Sequence, residues 1–155
     1  CLLLDIRMPD INGLALQQEL NQRRFRIPII IITGHGDIPM AVTAIKNGAL
    51  DFIEKPFDDQ VLLNHVARAL KLSEQWQAEA ALEGRILGYY ETLSKREKQV
   101  MQLVVDGMAN KLIAETLDIS PKTVEVHRAR VMSKMHADNL PELVNQARTI
   151  ERQLD

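Results

Sequence analysis

Apolar residues along the chain come in two rhythms. Cys1 to Leu4 is an unbroken apolar run that stops at Asp5, and Ile27 to Ile32 is a second, β-branched run closed by Thr33-Gly34. Short continuous runs of this kind, bounded by turn residues, predict strands buried on both faces of a parallel sheet. Between them Asn12-Gly13 breaks the chain, and Leu14, Leu16 and Leu20 mark a helix, so strand, helix and strand follow in crossover order. The alternation then repeats. Pro39 opens a helix carrying Met40, Ala41, Ala44 and Ile45, Gly48 closes it, and Asp51 to Glu54 forms a short third strand ended by Lys55-Pro56. The expected architecture is α/β: part of a doubly wound parallel sheet, with ligands at the carboxyl ends of its strands.

After Asp58 the period changes. Val61, Leu62, Val66, Ala69 and Leu70 fall at helical spacing, and a charged, Ala-rich segment around Trp76 continues to about Leu82. Gln75 to Tyr90 has weak heptad character, which fits either a partner-pairing helix or a solvated connector. From Ser94 the chain is helical throughout. Ser94 and Glu97 form a capping box, Val100, Met101, Leu103 and Val104 supply an apolar face, and Asp106-Gly107 ends that helix. A short helix at Asn110 to Leu117, a turn at Asp118-Ile119, a helix capped by Ser120 with Pro121 first, and a last helix from Pro141 to Arg152 follow. The predicted domains are 1–72, α/β; 73–91, a helical linker; and 92–155, an all-α four-helix domain.

Composition narrows the class. With 46% hydrophobic and 26% charged residues the chain is that of a globular protein, and its longest apolar run is far below the roughly 20 residues of a membrane helix. The expectation is a cytoplasmic protein without a membrane partner. The single cysteine, Cys1, has no disulfide or zinc partner and is expected to be a small core residue. A net charge of −2 conceals an asymmetry: residues 1–91 hold 9 Lys/Arg against 12 Asp/Glu, and residues 92–155 hold 10 against 9. Within Ser120 to Met135 four basic residues face one acid, Glu125, which is a stripe that phosphate backbones attract.

Asp5, Thr33 and Lys55 stand where three successive apolar runs stop, and in a parallel sheet those ends converge. A carboxylate accepts a phosphoryl group, a hydroxyl hydrogen-bonds its oxygens and an ammonium neutralises it. The segments LLLDIRMPDINGL, ITGHGD and GALDFIEKPF resemble the receiver domain of two-component response regulators, a flavodoxin-like fold, from Cys1 to about Leu72. The resemblance implies that Asp5 is the phosphorylated aspartate, Thr33 the switch hydroxyl, Lys55 the phosphate-contacting lysine and Phe52 the aromatic whose rotamer follows Thr33. It also implies a cis Lys55-Pro56 bond, and Mg²⁺ held by Asp5 and the backbone carbonyl of Arg7 together with an acidic pair. That pair belongs to elements of about 50 residues expected ahead of Cys1. Alone, the chain is expected to phosphorylate poorly and to aggregate or exchange strands at its open edge.

The segment LSKREKQVMQLVVDGMANKLIAETLDISPKTVEVHRARVMSKM resembles the LuxR/GerE-type helix-turn-helix, over about Thr92 to Arg148, and with the receiver is identified as a member of the NarL/FixJ family. Ile113, Ala114, Leu117, Ile119, Val124 and Val131 are expected to form the small core that sets the two helices at an angle. Lys122, Val126 and Arg130 lie at successive turns of one face and are expected to read base edges. Arg128, Lys134, Lys111 and the hydroxyls of Ser120 and Thr123 are expected at phosphates. His127 either joins them or packs between helices. His35, His65 and His136 carry no constellation. The function so implied is a phosphorylation-controlled DNA-binding transcriptional regulator, not an enzyme. Its partners would be double-stranded promoter DNA, a cognate sensor histidine kinase, a second copy when phosphorylated and RNA polymerase. In the family the helix after Ala41, the strand at Phe52 and the last helix serve as pairing faces. A constitutive DNA binder with a scaffold receiver is the rival, and an α/β enzyme lacks a phosphate loop or nucleophile elbow here.

Overall fold

The computed structural model describes residues 1–9, 11–34 and 38–154. His35, and the Asp10 and Gly36-Asp37 positions of the quoted motifs, lie outside them. The chain divides into two compact units, Cys1–Ala78 and Glu79–Asp155.

In the first unit β1 (Leu2–Asp5), β2 (Ile29–Thr33) and β3 (Asp51–Glu54) form a parallel sheet in the order β1-β2-β3. The register pairs Asp5 with Ile32 and Thr33 with Glu54, so the three apolar runs end side by side. Helices α1 (Gly13–Gln22) and α2 (Ile38–Lys46) cover one face, where Leu4, Ile6, Ile29, Ile31, Ala41 and Ala44 are buried. The start of α3 (Asp59–Glu91) covers the other through Leu62, Val66 and Ala69 against Ile30 and Ile53. Helices on both faces explain why the strands read as continuous apolar runs rather than alternating ones. Gln17 is fully buried, and its Nε2 donates to the Ala44 carbonyl at 2.9 Å, tying α1 to α2.

Gly13 is fixed by a close approach. Its amide donates to the Ile6 carbonyl, and a β-carbon built there would stand 2.2 Å from the Asp5 carbonyl oxygen. The chain therefore enters α1 against the very residue that ends β1. The Lys55-Pro56 bond is cis. Cys1 differs from expectation: it is exposed, because it precedes β1, whose ladder begins with Leu2 opposite Ile29.

The segment expected to be a helical linker continues the preceding helix without a break: α3 runs 33 residues, and the boundary between the units falls inside it. Its charged middle gave a weak periodic signal, but its last turns have apolar work to do, since Ile86, Leu87, Tyr89 and Tyr90 pack into the core of the second unit. That unit holds α4 (Lys95–Val105), α5 (Asn110–Leu117), α6 (Pro121–Lys134) and α7 (Leu140–Leu154) around Val100, Ile113, Val124, Val131, Met135 and Leu143. The capping box of Ser94 and Glu97 starts α4, and Gly107, at φ +82°, takes the left-handed turn that follows it. Asp118 makes the tight turn between α5 and α6 at φ 51°, and Arg96 donates to the Leu117 carbonyl at 2.9 Å, fixing the end of α5 on α4. Among the described residues no helix is long and apolar enough to cross a membrane.

Candidate functional site

Three strand ends place three side chains. Asp5 closes β1, Thr33 closes β2, and Lys55 follows β3 with its amide donating to the Thr33 carbonyl at 2.8 Å. Lys55 Nζ reaches Asp5 Oδ2 at 2.5 Å, joining residues fifty positions apart, while Asp5 Oδ1 accepts from the Arg7 amide at 3.0 Å. The Lys55 ammonium first, and the Arg7 amide second, hold the Asp5 carboxyl below its ordinary pKa. The pair is partly open to solvent, so an incoming group has access. Thr33 is fully buried, and its hydroxyl donates to the Gly34 carbonyl at 3.2 Å rather than to Asp5. Phe52 is half-buried on the α1–α2 side of the sheet.

Magnesium asks for several oxygens in near-octahedral geometry. Among the described residues no three His, Cys, Asp or Glu side chains gather closely enough to hold a metal ion. The Asp5 carboxylate and one carbonyl at Arg7 are too few on their own, so these residues do not by themselves fit the ion.

A second constellation lies on α6. Lys122, Val126 and Arg130 are exposed, Val126 by 44%, and among the described residues no hydrogen bond or ion pair engages the two cations. Ser120 Oγ accepts from the Thr123 amide at 3.0 Å and lies 2.8 Å from Thr123 Oγ1, so both hydroxyls gather at the helix start. Lys111 is exposed in the first turn of α5, whose N-cap, Ala109, provides no side-chain cap.

Other residues expected at phosphates have partners inside the fold. Arg128 is half-buried and donates to Asn110 Oδ1 at 2.7 Å, bracing α6 against the start of α5. Lys134 Nζ donates to Glu97 Oε2 at 2.7 Å and to the Thr92 carbonyl at 3.2 Å. Lys134, expected at a phosphate, is instead turned toward the start of α4 at the end of α6. His127 is half-buried, with Nδ1 buried and without a hydrogen-bond partner among the described residues. His65, read as isolated, has its Nδ1 3.0 Å from Asp51 Oδ2, which also stands 3.5 Å from Arg68. His136 lies against the Tyr89 ring at 4.5 Å. Asn110 and Glu97 were not singled out as site residues; a buried acid in a capping box opposite a distant lysine leaves no local signal.

Comparison with known proteins agrees with this geometry. Residues 1–67 match the response regulator receiver domain, and residues 91–147 match the bacterial regulatory proteins, luxR family. The transcriptional regulatory protein FixJ of Rhizobium meliloti (strain 1021) is 51% identical over 146 residues, which are 94% of this chain and 72% of that protein. The response regulator protein TodT of Pseudomonas putida (strain F1) is 46% identical over 155 residues, 100% of this chain and 68% of TodT. The low-resolution structure of the response regulator StyR superposes with a TM-score of 0.79 at 40% identity, covering 96% of this chain and 75% of that one. With both domains matched in order and a relative half identical across nearly the whole chain, the protein belongs to the NarL/FixJ-type response regulators, the phosphorylation-controlled DNA-binding transcriptional regulators of two-component systems.

Proposed function

We propose that Asp5 is the residue that takes the phosphoryl group and that α6 is the helix that enters DNA. The 2.5 Å contact of Lys55 with Asp5 carries the first part. It keeps the attacking carboxylate ionised and puts a cation where the phosphoryl charge arrives. A carboxylate oxygen of Asp5 attacks the phosphorus of a phosphohistidine on the sensor kinase. The N–P bond breaks, imidazole departs and an acyl phosphate remains. Receiver domains generally bind Mg²⁺ for this reaction. The new group adds roughly −1.5 to −2 charge. Thr33 Oγ1 then leaves the Gly34 carbonyl for a phosphoryl oxygen, and Phe52 repacks beside the space this opens. The helix after Ala41 and the strand at Phe52 form the face through which two copies pair, with residues 141–148 of α7 pairing the DNA-binding units.

On DNA, Lys122, Val126 and Arg130 face base edges, and Lys111, Ser120 and Thr123 hold phosphates. The open start of α5 suits an anion, since its first amides and its dipole point outward. The setting is the cytoplasm of a bacterium, the second ligand is a promoter, and RNA polymerase is the onward partner.

The test is binding of the full-length protein to genomic fragments, with and without a small phosphodonor and Mg²⁺. Phosphodonor tightens binding in a salt-sensitive way, and Asp5→Asn abolishes the gain. Equal affinity in all four conditions would reduce the receiver to a scaffold and leave a constitutive DNA binder.

A further inference from the structure

We propose that Glu97 and Lys134 form a positioning pair for DNA reading: the pair sets how α6 projects Lys122, Val126 and Arg130, and Lys134 does not touch phosphate. This rests on the reading of α6 as the DNA-contacting helix.

Each four-residue step advances about 40° around a helix of 3.6 residues per turn, so Lys134 lies about 120° around from Lys122. It is also the last residue of α6, where a cation suits the helix dipole. A dipole alone leaves such a lysine in solvent. Here the ammonium bridges two separate elements, the carboxylate of Glu97 in the first turn of α4 and the carbonyl of Thr92 just ahead of it. The Glu97 side chain is only 4% exposed, against 39% for Lys134. The same Oε2 also accepts from the Ser94 amide at 2.8 Å, and Ser94 Oγ accepts from the Glu97 amide at 3.2 Å. The end of α6 is thereby fastened to the one point where α4 is itself fastened. Lys134 and the Ser94 amide hold the Glu97 carboxyl down at about 2, so the ion pair is complete at neutral pH. Val131 and Met135, buried on either side, prevent rotation of α6 about its own axis, and the pair stops its end from lifting away from α4. A buried carboxylate that lost its cation would keep only the Ser94 amide beside it, its charge unmatched, so the contact persists rather than trading with solvent.

The experiment separates positioning from phosphate contact by sign. The protein is titrated by fluorescence anisotropy, at several salt concentrations, into a duplex it selects from a random-sequence pool and into an unrelated duplex. Far-ultraviolet circular dichroism establishes that each variant is folded at the titration temperature. Glu97→Gln keeps the size of the capping side chain but removes the charge that holds Lys134. Positioning predicts binding to the selected duplex weakened about tenfold, the size of one impaired base contact. Affinity for the unrelated duplex and the salt slope stay unchanged. Lys134→Arg, which retains the ion pair, binds close to the unsubstituted protein, and Lys134→Met reproduces the Glu97→Gln loss.

If Lys134 were a phosphate contact restrained by Glu97, Glu97→Gln would tighten binding to both duplexes. Lys134→Met would then lower the salt slope by about 0.9. Either result overturns the pair. Arg130→Ala serves as the control on the underlying reading. Weakening by Arg130→Ala with no change in Glu97→Gln or Lys134→Met overturns the pair alone, whereas no change in Arg130→Ala overturns the role of α6 and the pair with it.

Discussion

Lys55 and Arg130 are both exposed cations at the mouth of a candidate site, yet the two units treat them in opposite ways. In the first unit the cation is matched by a carboxylate from another strand, and the site is an ion pair before any ligand arrives. In the second unit Lys122 and Arg130 have no partner among the described residues, while Arg128 and Lys134 on the inner side of the same helix are held by Asn110 and Glu97. The difference follows from what each site must receive. A phosphoryl acceptor has to be ionised and addressed by a fixed charge before reaction, whereas a surface that meets phosphates and bases gains by leaving its own charges unmatched until DNA supplies the anions. The assembly differs too. The first site is drawn together from residues fifty positions apart by sheet topology; the base-facing residues of the second, Lys122, Val126 and Arg130, lie within one fourteen-residue helix.

The sharpest way to break this contrast is to weaken each core in turn. Ile31 and Ile113 are both fully buried, one beneath the strand ends and one beneath α6. Truncating either to alanine costs about 2–5 kcal/mol. Hydrogen exchange read by mass spectrometry locates the loss: Ile31→Ala deprotects Cys1–Ala78, and Ile113→Ala deprotects Glu79–Asp155. Equal deprotection of both units by either change would mean that they unfold as one body, and the contrast between separately built sites would fall.

A smaller effect is expected at Gly13, where an added methyl group meets the Asp5 carbonyl oxygen. The neighbour is backbone, so it yields only by moving the residue that carries the acceptor. Gly13→Ala should cost about 1–3 kcal/mol, in the range of overpacked sites. It should also slow phosphoryl uptake while DNA affinity without phosphodonor stays as before. A thermal melt and a phosphorylation time course check the two halves. An unchanged melt would show that the start of α1 swings away freely and that Asp5 is not placed by it.

How much of this was legible in the sequence depended on distance along the chain. The three strands, the capping box and the short helix at Asn110–Leu117 were visible because each is written in a run of a few residues: an apolar stretch with an abrupt polar end, or a cap followed by an apolar period. The convergence of Asp5, Thr33 and Lys55 needed only the further rule that parallel strands end together. Side-chain commitments were not visible. Nothing near Lys134 announces Glu97, thirty-seven residues earlier, and nothing near Arg128 or His65 announces Asn110 or Asp51. The continuous α3 was obscured because its buried positions serve different cores at its two ends, Ala69 in one and Ile86 in the other, so no single apolar stripe runs its length. Cys1 is apolar by type but has no strand opposite it, since the ladder starts at Leu2 and Ile29.

The smallest expected effect lies at the cap of α4 and sharpens the account of the second unit. Ser94 satisfies the Glu97 amide through its hydroxyl, and that hydroxyl also helps, after Lys134 and the Ser94 amide, to hold the Glu97 carboxyl at about 2. Ser94→Ala should cost about 1 kcal/mol at neutral pH, the usual worth of such a cap. Because the folded pKa of Glu97 lies below its ordinary value of 4.5, the stability its ionised form provides is complete above about 4.5. It is lost as the pH falls toward about 2. The variant binds the carboxylate less well, so its folded pKa is higher and it has less to lose. The gap between Ser94→Ala and the unsubstituted protein should therefore narrow through that window, leaving only the part due to the lost amide bond. Melts of the second unit followed by hydrogen exchange or tyrosine absorbance at several pH values would show it. A gap constant down to pH 2 would mean that Ser94 acts through the helix start alone and that the carboxylate takes its low pKa from Lys134 and the Ser94 backbone.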